Sequence, residues 1–543
     1  MKKAISLILA GAMTLTFASA AFSDVPETHW GYGEISVCEE NGLLGGFSDG
    51  TFNPGDIVTR ADAVKAVSAD IPDWKADTSA ITREEAVYLV MRGIKTENAD
   101  NTILDFFKDN GEISEQYRES FINAVCDNII LGAGNKMLRP KSALTRAELA
   151  VLLYRAEYGK EILSARREKA LEYMLNSTTL LWRPKTEITY TTKTGVTPEE
   201  ADPKEVYTLY TDRIYSGVPY THGGGSATSF LEYAVEKDEN GVYVIDNLSW
   251  EAISGGRTYS SVGNDCSSSI ILAWGSLGQV FPTGSGVRHF TGDNGIFAIN
   301  GYDLPDELCT NTKAVVEKNG KDAIYHAYAN AKPGDAVIKL TEKDGKLNSG
   351  HSRMIKQIDV VYLPDGEIDI ENSMVHMVEQ TSGSLRAQNK LYNEELGCDV
   401  YTIGIQQSFS FAAMVKASYI PVSPKILRDA APVQDPVVTD SETVFNKDTV
   451  LKGRISSTWM MDNATMIISD KAGNEIQRCS KNTERDNEKY VAFDLQEFVT
   501  ADPSFWRGKI DLNALEAGTY NCKLIMRLVT GEEITIRNFD FEI

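Results

Sequence analysis

Near its N-terminus the chain repeats one pattern three times. Val58-Thr59-Arg60, Ile81-Thr82-Arg83 and Leu144-Thr145-Arg146 each open a short run of small and apolar residues with helical spacing. Two of these triplets close a longer block. Phe22-Ser23-Asp24-Val25 leads through Trp30, Gly45-Gly46, Asp49-Gly50 and Phe52-Asn53-Pro54 to the first, and Phe107-Lys108-Asp109 leads through Phe121, Gly132, Gly134 and Leu138-Arg139-Pro140 to the third. Repetition of this kind means small units that bury their apolar faces by stacking, and such arrays usually present a binding surface rather than an active site. Each threonine is suited to cap the helix that follows it. Each arginine offers a planar fork that grips a carboxylate or ketal-acid group at two points.

The repeated block resembles the S-layer homology module over about residues 21–157, with a middle copy reduced to little more than Ile81 to Arg92. The resemblance implies an α-helical bundle of three lobes. It also implies anchoring through an anionic secondary cell-wall polysaccharide held between repeats, with Arg60, Arg83, Arg146 and Trp30 as polymer contacts.

Lys2-Lys3, the apolar run Ile5 to Phe17 and Ala18-Ser19-Ala20 read as a secretory signal over residues 1–20 with a small-residue cleavage site. No stretch approaches the roughly 20 apolar residues of a spanning helix. The expected location is therefore outside the cell, at the cell wall or S-layer. With 543 residues the chain is too long for one core, so several domains are expected. A formal charge of −23 argues against nucleic acid or an anionic membrane as partner. Seven cysteines leave at least one unpaired unless chains cross-link. Cys38 and Cys126 fall at matching places in the two long repeats and read as small core residues. Cys479 and Cys522 share the last domain, and their pairing stays open.

Beyond the repeats (21–160) the text changes. An amphipathic helix over Arg166 to Leu175 precedes a threonine-rich extended stretch, and short strands, Gly turns and a few helices follow, which suits an α+β domain over 161–420. Pro421, Pro424, Pro432 and Pro436 mark 421–444 as a linker. Strand signals at Val450-Leu451, Ser457 to Met461, Thr465 to Ile468, Tyr490 to Phe493, Tyr520 to Leu528 and Ile534 to Phe541 resemble a small immunoglobulin-like β-sandwich over 445–543.

The candidate chemistry lies in the middle domain. Asp265-Cys266-Ser267-Ser268-Ser269 runs into Ile270-Ile271-Leu272-Ala273-Trp274, an N-cap followed by an apolar helix. Cys266 then sits in the first turn, where unpaired N–H groups and the helix dipole favour the thiolate. Such a nucleophile needs an imidazole. Gly350-His351 opens a strand after the turn Pro333-Gly334-Asp335 and the strand that follows it. A helix-start Asp-Cys-Ser, a Pro-Gly-Asp turn and a strand-opening Gly-His, in that order, resemble the NlpC-like, papain-related cell-wall cysteine peptidases and their amidase relatives. Gly217-Val218-Pro219-Tyr220 looks like the family's Gly-x-Pro-Tyr segment, and Pro282-Thr283-Gly284-Ser285 sits where a similar short segment follows the nucleophile.

That resemblance, over roughly 205–385, implies Cys266 as nucleophile, His351 as base and Tyr220 beside the oxyanion. The third residue, which orients the ring, is expected from Met374 to Gln380, where His376, Glu379 and Gln380 are candidates. Val378-Glu379-Gln380 is most similar to the amidase-type relatives, which points to Glu379. Three departures stand out: Ser268 where the family has Gly, Arg353 where small apolar residues follow Gly-His, and the long stretch Ser226 to Gly263. No pattern suggests a metal or a cofactor. The expectation is a wall-anchored cysteine hydrolase acting on peptidoglycan stem peptides. The alternative is a non-catalytic S-layer or adhesion protein that binds wall or host glycans.

Overall fold

Three threonines organise the N-terminal region. Each ends an extended segment and caps the next helix: Thr59 before Arg60–Ala66, Thr82 before Arg83–Met91 and Thr145 before Arg146–Tyr154. At Thr82 and Thr145 the cap is reciprocal, with Glu85 and Glu148 returning a hydrogen bond to the cap backbone. The residues just before the threonines close a ring of backbone hydrogen bonds. The Val58 N–H donates to Leu144 (2.9 Å), Leu144 to Ile81 (3.1 Å) and Ile81 to Val58 (2.9 Å). The short middle copy thus supplies a full third of the ring although it lacks the preceding block.

The computed structural model describes residues 22–96, 100–255, 261–278, 296–299, 302–440, 454–482, 491–494, 498 and 507–543. The expected secretory signal, the Pro282 to Ser285 segment and the Val450-Leu451 strand lie outside these residues. The chain divides into two units, one of residues 1–166, 299–302 and 425–435, the other of 167–298, 303–424 and 436–543.

In the first unit the two long blocks repeat each other's contacts. The Asp24 carboxylate accepts from the Phe52 and Asn53 N–H groups, as that of Asp109 does from Leu138 and Arg139. Cys38 and Cys126 lie on the matching helices Tyr32–Glu40 and Glu115–Cys126, and neither is in a disulfide. Residues 425–435, part of the stretch read as a linker, are built into this unit. Arg166 donates to the carbonyls of Ile426, Asp429 and Ala431, and Arg155 pairs with Asp429 at 2.9 Å. Three carbonyls of this irregular segment are thus satisfied by one guanidinium group rather than by a strand ladder.

The second unit is mixed α and β. One six-stranded antiparallel sheet has the order Gly404–Ser410, Met374–Gln380, Lys346–Asp359, Ala336–Lys343, Ile420–Pro424, Ile296–Ala298. Pro421 and Pro424, also read as linker, belong to its Ile420–Pro424 strand. Against this sheet lies the helix Cys266–Gly275, all of whose residues are buried. A second six-stranded sheet, of mixed direction, centres on Leu181–Pro184 and Ile214–Ser216.

The last hundred residues form a five-stranded antiparallel sheet ordered Arg507–Gly508, Glu475–Asn482, Met461–Asp470, Thr519–Leu528, Glu533–Glu542, and a three-stranded one of Val438–Asp440, Arg454–Ser457 and Val491–Asp494. The Ser457 to Met461 run, expected as one strand, is instead the break at Thr458–Met460 between strands of different sheets. Cys479 and Cys522 are free and buried. They pair with Met466 and Ile468 from opposite sides of one central strand. Two strand spacings, about 10 Å, exceed the roughly 7 Å limit for a disulfide.

Candidate functional site

The Cys266 helix starts on Asp265, whose carboxylate accepts from the Ser267 and Ser268 N–H groups at 3.0 and 2.7 Å. This cap satisfies two of the helix's free donors and leaves Cys266 in the first turn. The segment before it is threaded through backbone contacts. Asn264 pairs in parallel with Tyr220, its N–H donating to Pro219 and its carbonyl accepting from Thr221. The Gly223-Gly224-Gly225 run lies close against 261–263, and a Cβ on Gly225 would lie 2.5 Å from the Ser261 carbonyl oxygen. Gly223 and Gly225 are required by this close approach to 261–263. At the far end the Trp274 indole N–H donates to Gly334 of the Pro-Gly-Asp turn at 2.8 Å. Gly334 there has φ +88°, a value favouring glycine. The same turn feeds Ala336–Lys343, which pairs with the strand carrying His351.

The structure brings Cys266, His351, Glu379 and Tyr220 together. The side chains of His351 and Tyr220 both lie within interaction range of the Cys266 sulfur. The Glu379 carboxylate bonds His351 Nε2, so the ring meets the sulfur with its other nitrogen. Cys266 is 5% exposed and Tyr220 7%. Burial acts to lower the pKa of His351, but the charges and hydrogen bonds of Cys266 and Glu379 outweigh it and raise the ring to about 10. Burial and the charges of Cys266 and Asp265 push the Tyr220 phenol well above its ordinary value, so it stays a hydrogen-bond donor.

Of the other two candidates on that strand, neither touches His351. His376 points to the opposite face and bridges Ser408 (2.6 Å) and Asp359 (2.8 Å). Gln380 donates to the Ser177 carbonyl. Three neighbours carried no motif. The Gln407 amide donates to Glu379 Oε1, Arg353 Nε lies 3.1 Å from the same oxygen, and Tyr419 stacks on Arg353 at 4.6 Å. Gln407, within the Gly404–Ser410 strand, and Tyr419, just before Ile420–Pro424, have no sequence signal of their own. Arg353 had one, its odd place after Gly-His-Ser. Among the described residues no three His, Cys, Asp or Glu side chains are grouped to hold a metal ion.

In the first unit the arginines occupy equivalent places in the ring but have different partners. Arg60 bonds Glu85 at 2.6 Å and Asp77 at 3.0 Å, and Arg83, largely buried, bonds Glu148 at 3.1 Å. Each thus holds the acid in the capping box of the next triplet. Arg146 breaks the cycle. The corresponding acid is Asp62, one methylene shorter and bonded by the Thr59 hydroxyl. Arg146 instead donates to the carbonyls of Phe52 and Gly45 and stacks on Phe47 and Phe52 at 4.6 and 4.8 Å. Trp30 is 62% exposed beside the His29 ring.

Residues 21–64 and 106–150 match the S-layer homology domain. Two curated sequences of the outer membrane protein SlpA of Thermus thermophilus are 39% identical over 66 residues, which covers 12% of this chain and 7% of theirs. A crystal structure of a tetra-tandem repeat in the extending region of a large adhesion protein is similar at 12% identity with a TM-score of 0.15, covering 38% of this chain and 41% of that one. No described helix is long and apolar enough to cross a membrane. The chain therefore carries S-layer homology repeats, and it is a protein of the cell surface, associated with the S-layer or cell wall.

Proposed function

We propose that the middle domain is an NlpC-like, papain-related cysteine hydrolase that cleaves amide bonds in peptidoglycan stem peptides, held near its substrate by the S-layer homology repeats. The observation that carries this reading is the grouping of Cys266 and Tyr220 around a His351 ring bonded to Glu379, with the sulfur in the first turn of a capped helix. Such a pair rests as thiolate and imidazolium. The sulfur attacks the amide carbon and the C–S bond forms. The C–N bond then breaks while the ring's proton passes to the departing nitrogen. Water, losing a proton to the ring, displaces the sulfur and releases the acid. The Tyr220 hydroxyl and the N–H groups of the helix start supply donors for the oxyanion. An antiparallel sheet packed against the nucleophile helix supports the papain-like fold, and the paired antiparallel sheets after 436 support an immunoglobulin-like sandwich.

Anchoring belongs to the same reading. The repeats hold an anionic wall polysaccharide, and the tether raises the local concentration of the hydrolase on an insoluble substrate. A zymogram with wall material tests the catalytic part, with clearing expected from the wild type and none from Cys266→Ala. Equal clearing by both rules out Cys266 as nucleophile and leaves an anchored protein that binds wall or host glycans without turnover.

A further inference from the structure

Arg353 stands two residues after His351 on one strand, so the two side chains leave the same face of the sheet. Its guanidinium is stacked 4.6 Å from the Tyr419 ring centre and 5.2 Å from that of Phe409. Its Nε lies 3.1 Å from Glu379 Oε1, yet that N–H has no aligned acceptor. The contact is therefore one of charge rather than of hydrogen bonding. Glu379 is 1% exposed and is already held by two hydrogen bonds, Oε2 with His351 and Oε1 with the Gln407 amide. The carboxylate keeps its place whatever stands at position 353, and what Arg353 adds is a cation in a nearly dry setting.

The groups that act on the ring can be named from each side. Cys266 comes from the helix start and Tyr220 from the segment paired with it, with Asp265 acting on Tyr220. Glu379 and Arg353 come from the sheet, Lys339 lies opposite His351 on the adjoining strand, and the Tyr419 ring is 6.5 Å away. Cys266 and Glu379 both hold the proton on His351. A ring that holds its proton too firmly is a poor acid for the departing nitrogen, since proton transfer is best when donor strength matches the task.

On the cysteine-hydrolase reading above, we propose that Arg353 is a positioning residue acting through Glu379: its cation takes up part of the carboxylate charge, so that His351 gives up its proton to the leaving amine more readily. The sign follows from charge alone. A cation removed from beside an imidazolium and its counter-ion strengthens the hold on the proton.

The test is a histidine-resolved NMR titration of the full-length protein carrying Cys266→Ala, where Glu379 is the main charge on the ring. Arg353→Met and Arg353→Gln should each raise the His351 midpoint by about one pH unit, roughly tenfold in proton affinity. Arg353→Lys should leave it within about 0.3 of the parent value, because a cation near the carboxylate carries most of the effect. With the thiol present, iodoacetamide alkylation of Cys266 should begin at higher pH in the two neutral variants than in the wild type, because a lost cation also disfavours the thiolate. An unchanged or lowered midpoint in the neutral variants overturns the proposal, as does a lysine variant that shifts with them. Two neutral replacements are used so that misfolding of one leaves the other. Failure of the hydrolase reading looks different: Cys266 would then alkylate no faster than the other thiols, while the titration shifts persist.

Discussion

Burial alone would strip His351 of its proton, and only the neighbouring sulfur and the Glu379 carboxylate hold it there. Its folded value of about 10 lies above the roughly 6.5 of an unfolded chain. The stability the ring contributes is thus complete below pH ~6.5 and is lost as the pH climbs towards 10. The difference in Tm between the wild type and His351→Gln should accordingly shrink from pH 6.5 to pH 10, and a gap that widens over that window would contradict this account. Arg146 carries a second prediction. Arg60 and Arg83 already spend their guanidinium groups on Glu85 and Glu148, whereas Arg146 is held by neutral carbonyls and aromatic faces. In pelleting assays with purified wall, Arg146→Ala should weaken binding by about tenfold, as expected for loss of one charged anchor worth about 1.5 kcal/mol. Arg60→Ala should act chiefly through stability, and equal loss of binding by both at unchanged stability would remove the distinction.

The Cys266 helix depends on what precedes it. Backbones at 223–225 and 261–263 approach too closely for side chains, with the Gly225 N–H donating to Gly263 and the Asn264 amide to Gly225. Gly225→Ala should displace 261–263 and, with them, the start of the helix. We expect alkylation of Cys266 near neutral pH to slow by at least about tenfold, because a displacement of about 1 Å at a reacting centre costs more than that. Unaltered alkylation together with an unaltered Tm would show that the segment tolerates the methyl group. Much of this element was legible in the chain: Asp265 as cap and Cys266 in the first turn follow from a polar residue ahead of an apolar run. The choice of Glu379 over His376 came from the resemblance of Val378-Glu379-Gln380 and not from the local pattern. It depends on which face each side chain takes and on a register shift between His376 and Met377 against the neighbouring strand. A one-residue irregularity leaves no trace in composition.

The C-terminal sheets are fastened to the Cys266 helix and its neighbours rather than strung behind them. Met460 packs onto Gly275 at the end of that helix, and the Trp459 ring would lie 2.9 Å from a Cβ at Gly278. Glu232 is gripped by Arg507 and Arg527, and Arg527 also holds Asp462, which accepts from Ser229. Met460, buried at the corner between two strands, fills the space that Gly275 leaves. Met460→Ala should therefore lower stability by about 2–5 kcal/mol. It should move the near-ultraviolet circular dichroism of both regions in one shared transition. Two separate transitions, only one of them affected, would mean that the two regions fold independently.

From the amino-acid order alone follow the features set by neighbours in the chain: the threonine caps and a cysteine placed where a helix begins. These are short-range consequences of hydrogen bonding and periodicity. Tertiary structure decided the rest. It made the short middle copy the third side of a closed ring and left Arg146 without the acid its counterparts have. It also separated Cys479 from Cys522 by a whole strand and surrounded Glu379 with His351, Gln407 and Arg353. Each of those outcomes turns on strand register and on contacts between residues far apart in the chain, where a shift of one position exchanges one face of a sheet for the other.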